Sequence, residues 1–263
     1  MKLIDTHAHL YADRFDEDRA AMVARAFEQG VAEVYLPNID LNSIEGMLAL
    51  EQAYPGRMHP MMGLHPCSVQ EGYREVLAQM HEWLDRRDFV AIGEIGMDLY
   101  WDTSTQAIQE EAFRMQIGWA KERELPIVIH MRNATEETLR IVEEEKDDRL
   151  RGIFHCFTGT VAEAERILAL EGFYLGIGGI LTFEKAGLDK VVAELPLGRM
   201  VLETDAPYLA PTPYRGKRNE SAYVRQVAER LAAIKGVTLD TIATATTANA
   251  RGIFHSKAIK NVD

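Results

Sequence analysis

Residues 2–9, KLIDTHAH, decide the architecture, because an apolar start gives way within one strand length to an acid and two imidazoles. Read as a β-strand, the segment alternates sides, which puts Asp5, His7 and His9 on one face and both histidines at the C-terminal end. Further short runs rich in β-branched or apolar residues follow: 31–38 VAEVYLPN, 58–65 MHPMMGLH, 90–97 VAIGEIGM, 126–132 PIVIHMR, 151–158 RGIFHCFT, 173–179 FYLGIGG and 200–206 MVLETDA. Segments of helical periodicity separate them. Residues 105–124, for instance, place Phe113, Ile117 and Ala120 on one face, and the charged segment 135–149 reads as a solvated helix running into a turn. Alternating strands and helices imply a parallel sheet, and eight such units make an α/β barrel of the TIM, (β/α)8, type with its active site at the C-terminal ends of the strands. The 263 residues fit one such domain, residues 1–263, with a helix pair near 220–235 and 239–250 closing it and 255–263 as a loose tail.

Composition narrows the function classes. An apolar fraction of 47% and a charged fraction of 27% are ordinary for a globular chain, and no run approaches the roughly 18 apolar residues of a membrane span. The N-terminus lacks the basic, apolar and small-residue layout of a secretory signal. The two cysteines, Cys67 and Cys156, are too few for a disulfide framework and read as packing residues. The expectation is a cytoplasmic monomer with no membrane association and no obligate protein partner. A net charge of -12 argues against a broad polyanion-binding surface, yet bound metal charges and a few cationic side chains can make one pocket locally positive.

The polar ending of the first run recurs. Glu94 in IGEIG, His130 in IVIH, His155 in IFHC and Asp205 in ETDAP fall in the C-terminal halves of the fourth, fifth, sixth and eighth runs. Taken singly, each is equally compatible with a core histidine bonded to backbone or a carboxylate paired across the barrel. Their convergence points instead to one or two divalent metal ions, since buried carboxylates need pairing or coordination. Imidazole and carboxylate without thiolate suits Zn, Mn, Fe, Ni or Mg. Glu94, on a central strand, is the natural bridge, giving His7, His9, Glu94 and Asp205 to one metal and Glu94, His130 and His155 to another. Bound metal lowers the pKa of water toward neutrality, and Asp205 aligns that water and accepts its proton. Glu203, two residues before Asp205, points to the same side but deeper, as a supporting or directly catalytic carboxylate. His65 reads as a hydrogen-bond donor to substrate, whereas His59, His81 and His255 read as ordinary surface or packing residues.

Together DTHAHL, GLHP, IGEIGMD, PIVIHMR, HCFTG, GFYLGIGGILTF, ETDAPYLAP and RGKRNE resemble the TatD family of metal-dependent deoxyribonucleases, which are amidohydrolase-type barrels. The resemblance runs from the first strand to about Ala250. It implies a divalent-metal phosphodiesterase acting on DNA, often as a 3′-to-5′ exonuclease, on single-stranded or frayed ends. It carries the family's ligands onto His7, His9, Glu94, His130, His155 and Asp205, with Glu203 and His65 matched as well. RGKRNE adds Arg215, Lys217 and Arg218, whose chemistry suits phosphate oxygens as well as a solvated basic turn. Where the family commonly has Ser-Arg-Asp or Thr-Arg-Asp after the fifth-strand histidine, this chain has Met131, Arg132 and Asn133, which keeps the arginine and loses the acid. The paired aromatics after Leu99 are Tyr100 and Trp101, which either stack a base or pack the barrel mouth. Two other classes compete: a hydrolase of a small amide, lactone or phosphoester, whose relatives often bridge their metals with a modified lysine absent from this fourth strand, and an inactive metal-binding interaction module.

Overall fold

Eight strands follow one another in the expected order in the computed structural model, which describes residues 1–254: β1 (Leu3–Asp5), β2 (Val31–Leu36), β3 (Met58–Pro60), β4 (Ile92–Asp98), β5 (Ile127–Arg132), β6 (Gly152–Phe154), β7 (Phe173–Ile177) and β8 (Met200–Leu202). The tail expected at 255–263 lies outside the described residues. Helices α1 (Arg19–Glu28), α2 (Ser43–Ala53), α3 (Tyr73–Arg86), α4 (Gln106–Arg123), α5 (Thr135–Glu145), α6 (Val161–Ala169) and α7 (Leu188–Glu194) alternate with the strands, and α8 (Val224–Lys235) and α9 (Leu239–Phe254) follow β8. Local chemistry sets several boundaries. Thr160 and Glu163, for example, form a reciprocal capping box at the start of α6, satisfying backbone donors that the first turn leaves free.

All pairings are parallel, in one ladder of β1, β2 and β3 and another running from β4 to β8. The ladders meet at two seams. At one, Met62 bridges to Ile92, and the Gly93 amide donates to the Met62 carbonyl (3.0 Å). At the other, Ala8 bridges to Ala206, flanked by Thr6 N to Leu202 O (3.0 Å) and Asp205 N to His7 O (2.9 Å). The sheet thus returns on itself as a (β/α)8 barrel.

Strand alternation divides the core in two. Outward residues such as Leu3, Ile95, Ile129, Phe154, Leu175 and Leu202 pack with helix residues, among them Phe113, Ile117 and Leu231. Inward residues Ile4, Tyr35, Ala91, Val128, Ile153 and Val201 form a separate floor, sealed from below by Ala250, Ile253 and Phe254 of α9. The Phe254 ring stacks on Tyr35 with centroids 3.9 Å apart. One alternation above Val128, Ile153 and Val201 come His130, His155 and Glu203, so the polar layer rests directly on this apolar floor.

Several expectations are corrected. The strands stop early, at Asp5, Pro60, Phe154 and Leu202 in β1, β3, β6 and β8, so His7, His9, His65, His155, Glu203 and Asp205 sit on the segments leaving the strands. Asp5 does not share a face with the two histidines. The ladder ends at Asp5, and its carboxylate turns to accept from Thr204 Oγ1 (2.6 Å) and Ser221 Oγ (2.5 Å). Cys67 is exposed and is not a packing residue. The final helix continues past the expected end at Ala250, through Gly252 to Phe254. Among the described residues, no helix is long and apolar enough to cross a membrane.

Candidate metal centre

A β-bulge aims the central carboxylate. Along β4 and β5 the register runs Ile92 to Ile127 and Gly93 to Val128, then Ile95 to Ile129, leaving Glu94 as an extra residue without a partner. Bulges re-aim side chains in this way, and Glu94 is buried at the centre of the barrel mouth. Its two oxygens divide. Oε2 faces His7 Nε2 (3.1 Å) and His9 Nε2 (3.4 Å), and Asp205 Oδ1 lies 3.8 and 3.6 Å from the same two nitrogens. Oε1 faces His130 Nδ1 (2.8 Å) and His155 Nε2 (2.7 Å), which are themselves 3.4 Å apart.

These spacings match donors arranged about a shared cation, since ligands about 2.0–2.1 Å from a tetrahedral centre stand roughly 3.3 Å from each other. Tautomers point the same way. The Tyr11 hydroxyl donates to the Pro37 carbonyl and so accepts from His9 Nδ1 (2.8 Å), which leaves the lone pair of His9 on Nε2, toward Glu94 and Asp205. His130 Nε2 donates to Asp98 Oδ2 (2.8 Å), leaving its Nδ1 lone pair facing a carboxylate oxygen. A lone pair aimed at an anion needs a proton or a metal between them. His7 Nδ1 and Glu203 Oε2 are buried polar atoms without hydrogen-bond partners among the described residues, and His155 Nδ1 has only Glu203 Oε1, 3.6 Å away, as in a polar cluster built around something further. The donor set therefore fits two hard or borderline divalent ions sharing Glu94.

Charges in the cluster tell the same story. Burial alone would raise the Glu94 carboxyl, but His155, His7 and His65 hold it well below the usual carboxylate range. Burial would likewise depress His155, yet Glu94 and Glu203 lift it well above its ordinary value. Burial, with Glu94 and Glu203 adding to it against His155 and His9, raises Asp205 to about 6. While burial and His155 push His7 down, the raised His155 and Asp205 favour binding protons that a metal would displace. Because they must leave on loading, apparent metal affinity is expected to fall as pH drops from 7.5 toward 5, with net proton release on binding. Calorimetry in buffers of different ionisation enthalpy checks this, and binding with no proton release would contradict it.

Supporting residues fix the ligands. Asp98, ionised and held down to about 2 by His130 against its burial, also accepts from the Tyr100 amide (3.0 Å). Replacing a carboxylate behind a ligating imidazole commonly costs about 10–100-fold in metal affinity, and Asp98→Asn is expected to do so in a chelator competition titration. Glu203 accepts from the Cys156 amide (2.5 Å) and sits 3.6 Å from His155 Nδ1. A Cβ on Gly176 would lie 2.2 Å from Glu203 Oε2, so only glycine leaves room for this carboxylate. Two buried glutamines of α4 act as clamps. Gln109 bonds both the amide and the carbonyl of Asp98 (2.8 and 3.0 Å), and Gln116 bonds both groups of Leu64 (2.7 and 3.3 Å), next to His65. Asn219 donates to Thr204 O (2.7 Å) and Tyr208 O (2.6 Å), pinning the loop that carries Asp205.

The remaining candidates lie around the rim. His65 receives the Cys67 amide at Nδ1 (3.0 Å), so its Nε2 carries the proton, 3.5 Å from Glu94 Oε1. Arg132 and Tyr100 are exposed and touch each other. Arg215 and Lys217 are exposed, with the Arg215 guanidinium 4.4 Å from the Phe183 ring centre. Arg218 departs from its expected phosphate role. Its guanidinium is committed to Asp18 (2.7 and 2.8 Å) and the Arg14 carbonyl (2.8 Å), a brace between loop and α1. Asp98 was discernible in sequence, two and four residues beyond Gly96 and Glu94 on one strand. Gln109, Gln116, Asn219 and Tyr11 gave no such signal, because their partners are distant in the chain or are backbone groups.

Comparison with known proteins places this geometry. Residues 4–255 match the family described as TatD related DNase. In Bacillus subtilis (strain 168), the uncharacterized metal-dependent hydrolase YabD is 42% identical over 253 residues, covering 96% of this chain and 98% of the relative. The 3′-5′ ssDNA/RNA exonuclease TatD of Pectobacterium carotovorum is 31% identical over 258 residues, covering 96% of this chain and 99% of the relative. The crystal structure of YjjV, a TatD homolog from Escherichia coli K12, superposes with a TM-score of 0.90 at 31% identity, covering 96% of this chain and 98% of that one. The chain therefore belongs to the TatD family and is a metal-dependent hydrolase.

Proposed function

We propose that the protein hydrolyses phosphodiester bonds of single-stranded DNA, removing nucleotides from the 3′ end, with Asp205 as the base. The observation that carries this reading is the division of Glu94 between two imidazole pairs. Hydrolysis of a phosphodiester gathers negative charge on the phosphoryl oxygens, and sites for two cations joined by one carboxylate answer that charge from both sides. Divalent ions held there lower the pKa of a water and neutralise charge at phosphate and leaving group. The rest falls to side chains. Asp205, partly open to the mouth, takes the proton of the attacking water. His65 Nε2 donates to a phosphate oxygen, Glu203 holds His155, and Arg132, Arg215 and Lys217 supply cationic contacts along the strand. The name of the Pectobacterium relative supports the substrate class.

Metal-stripped protein reloaded with Mg or Mn and given a 5′-end-labelled oligonucleotide is expected to yield a ladder shortened one nucleotide at a time. No shortening with Mg, Mn, Zn, Ni or Fe would sink the proposal. Faster turnover of a lactone or cyclic amide would transfer the activity to small molecules.

A further inference from the structure

The mouth of the barrel carries an aromatic surface that the metal centre does not use. Trp101 is 71% exposed and Tyr100 50%, unusual values for large rings, and no core contact accounts for either one's position. The two rings meet edge to face, with centroids 4.8 Å apart. Arg132 lies over the Tyr100 ring at 3.8 Å and 5.4 Å from that of Trp101. The group is anchored to the centre. The Tyr100 amide donates to Asp98, whose other oxygen receives His130, and the Leu99 amide donates to the Arg132 carbonyl (2.9 Å). Arg132 also follows His130 by one strand alternation on β5. Across the mouth, on the β1 and β8 side, Tyr208 is 48% exposed, with its ring 6.3 Å from that of His9 and Arg14 5.9 Å above it.

We infer that Tyr100, Trp101 and Arg132 form a stacking site for an unpaired base adjacent to the scissile phosphate, so that the centre selects single strands by their open base faces and not by base identity. The inference rests on the phosphodiesterase reading. With its plane at 89° to that of Tyr100 and 71% of its surface exposed, the indole is not covered by its neighbour and can receive a planar ligand. A guanidinium 3.8 Å over the phenol has donors left to offer phosphate, which an ammonium in its place would not supply with the same geometry. Every base has a π-face, so stacking tolerates sequence, and in a duplex both faces are taken by neighbouring pairs. With Tyr208 on the opposite lip, a bound strand meets a ring on each side of the metals.

Trp101→Ala tests the proposal in the metal-loaded protein, and its high exposure makes the substitution mild for the fold. Stacking losses on alanine substitution at single-strand sites are about 5- to 150-fold in affinity. The variant is expected to lose about tenfold in kcat/KM on a single-stranded oligonucleotide relative to bis(p-nitrophenyl) phosphate, a phosphodiester without a neighbouring base, with the loss in KM. Its preference for single strand over blunt duplex should shrink together with that loss. Arg132→Lys should reproduce part of the effect. Titrating metal-free protein with oligonucleotide gives a second readout, because Trp83 and Trp119 are more buried and quenching should disappear with Trp101. An equal change on both substrates, or quenching that persists in Trp101→Ala, overturns the stacking site. Trp101-dependent quenching in a protein that cleaves no oligonucleotide would uphold the site and remove the nuclease reading alone.

Discussion

Glu94→Gln is expected to lower turnover by about 10³-fold or more and to cut bound metal to well under half of the wild-type content. The carboxylate meets four imidazoles at 2.7–3.4 Å, and an amide in its place presents an N–H₂ group to one pair of lone pairs. A paired-metal clamp contributes several kcal/mol to the transition state, and each 1.36 kcal/mol is tenfold in rate, which gives the expected order of magnitude. Metal content by elemental analysis and steady-state rates on oligonucleotide provide the two measurements. Full metal content with full activity would mean that the donors around Glu94 are a structural network. Because breaking a buried charge cluster also destabilises a fold, the melting temperature of the metal-free variant separates the two effects.

Asp205→Asn removes the proposed base while keeping a similar shape. Loss of general-base catalysis is worth about 10²–10⁴-fold, and the fall should appear in kcat with little change in KM. The pH profile gives the sharper check. A base must be deprotonated to act, so wild-type activity should decline on the acid side, at or below the value of about 6 to which burial raises Asp205 in the metal-free protein. A neighbouring cation shifts that limb only downward, since positive charge favours the carboxylate. In Asp205→Asn the residual rate should lose the limb altogether. An unchanged profile would assign the proton to another group.

How far the chain could be read beforehand depended on the range of the forces involved. Alternation is local, so Glu203 could be set on the side of Asp205 but deeper, and the same spacing of two puts Val128 and Ile153 of the floor beneath His130 and His155. The orientation of Glu94 was guessed from its strand, whereas what turns it inward is an extra residue in the β4 register, invisible without the partner strand. Asp5 broke the pattern for the opposite reason. Its ladder ended early, and hydroxyls 199 and 216 residues away claimed its carboxylate. The basic loop shows a further limit. RGKRNE reads as three equivalent cations, and only folding reveals Asp18 holding Arg218 while Asn219 secures the loop bearing Asp205. Buried amides such as Gln109 and Gln116 satisfy backbone groups in α4's packing face, where polarity alone would argue for solvent.

The two seams carry a consequence for when the protein becomes active. Glu94, His130 and His155 belong to one ladder and His7 and His9 to the start of the other, while Asp205 bonds back to His7 across the closing seam. Asp205 follows the other five candidate ligands in the chain. A chain ending before Met200 lacks the eighth strand, the closing seam and the proposed base, and keeps the other five candidate ligands without that closure. On the proposed mechanism, hydrolytic competence therefore requires the eighth strand docked against the first. Asp205 and the earlier ligands, by holding divalent ions together only in the closed form, would favour that docking.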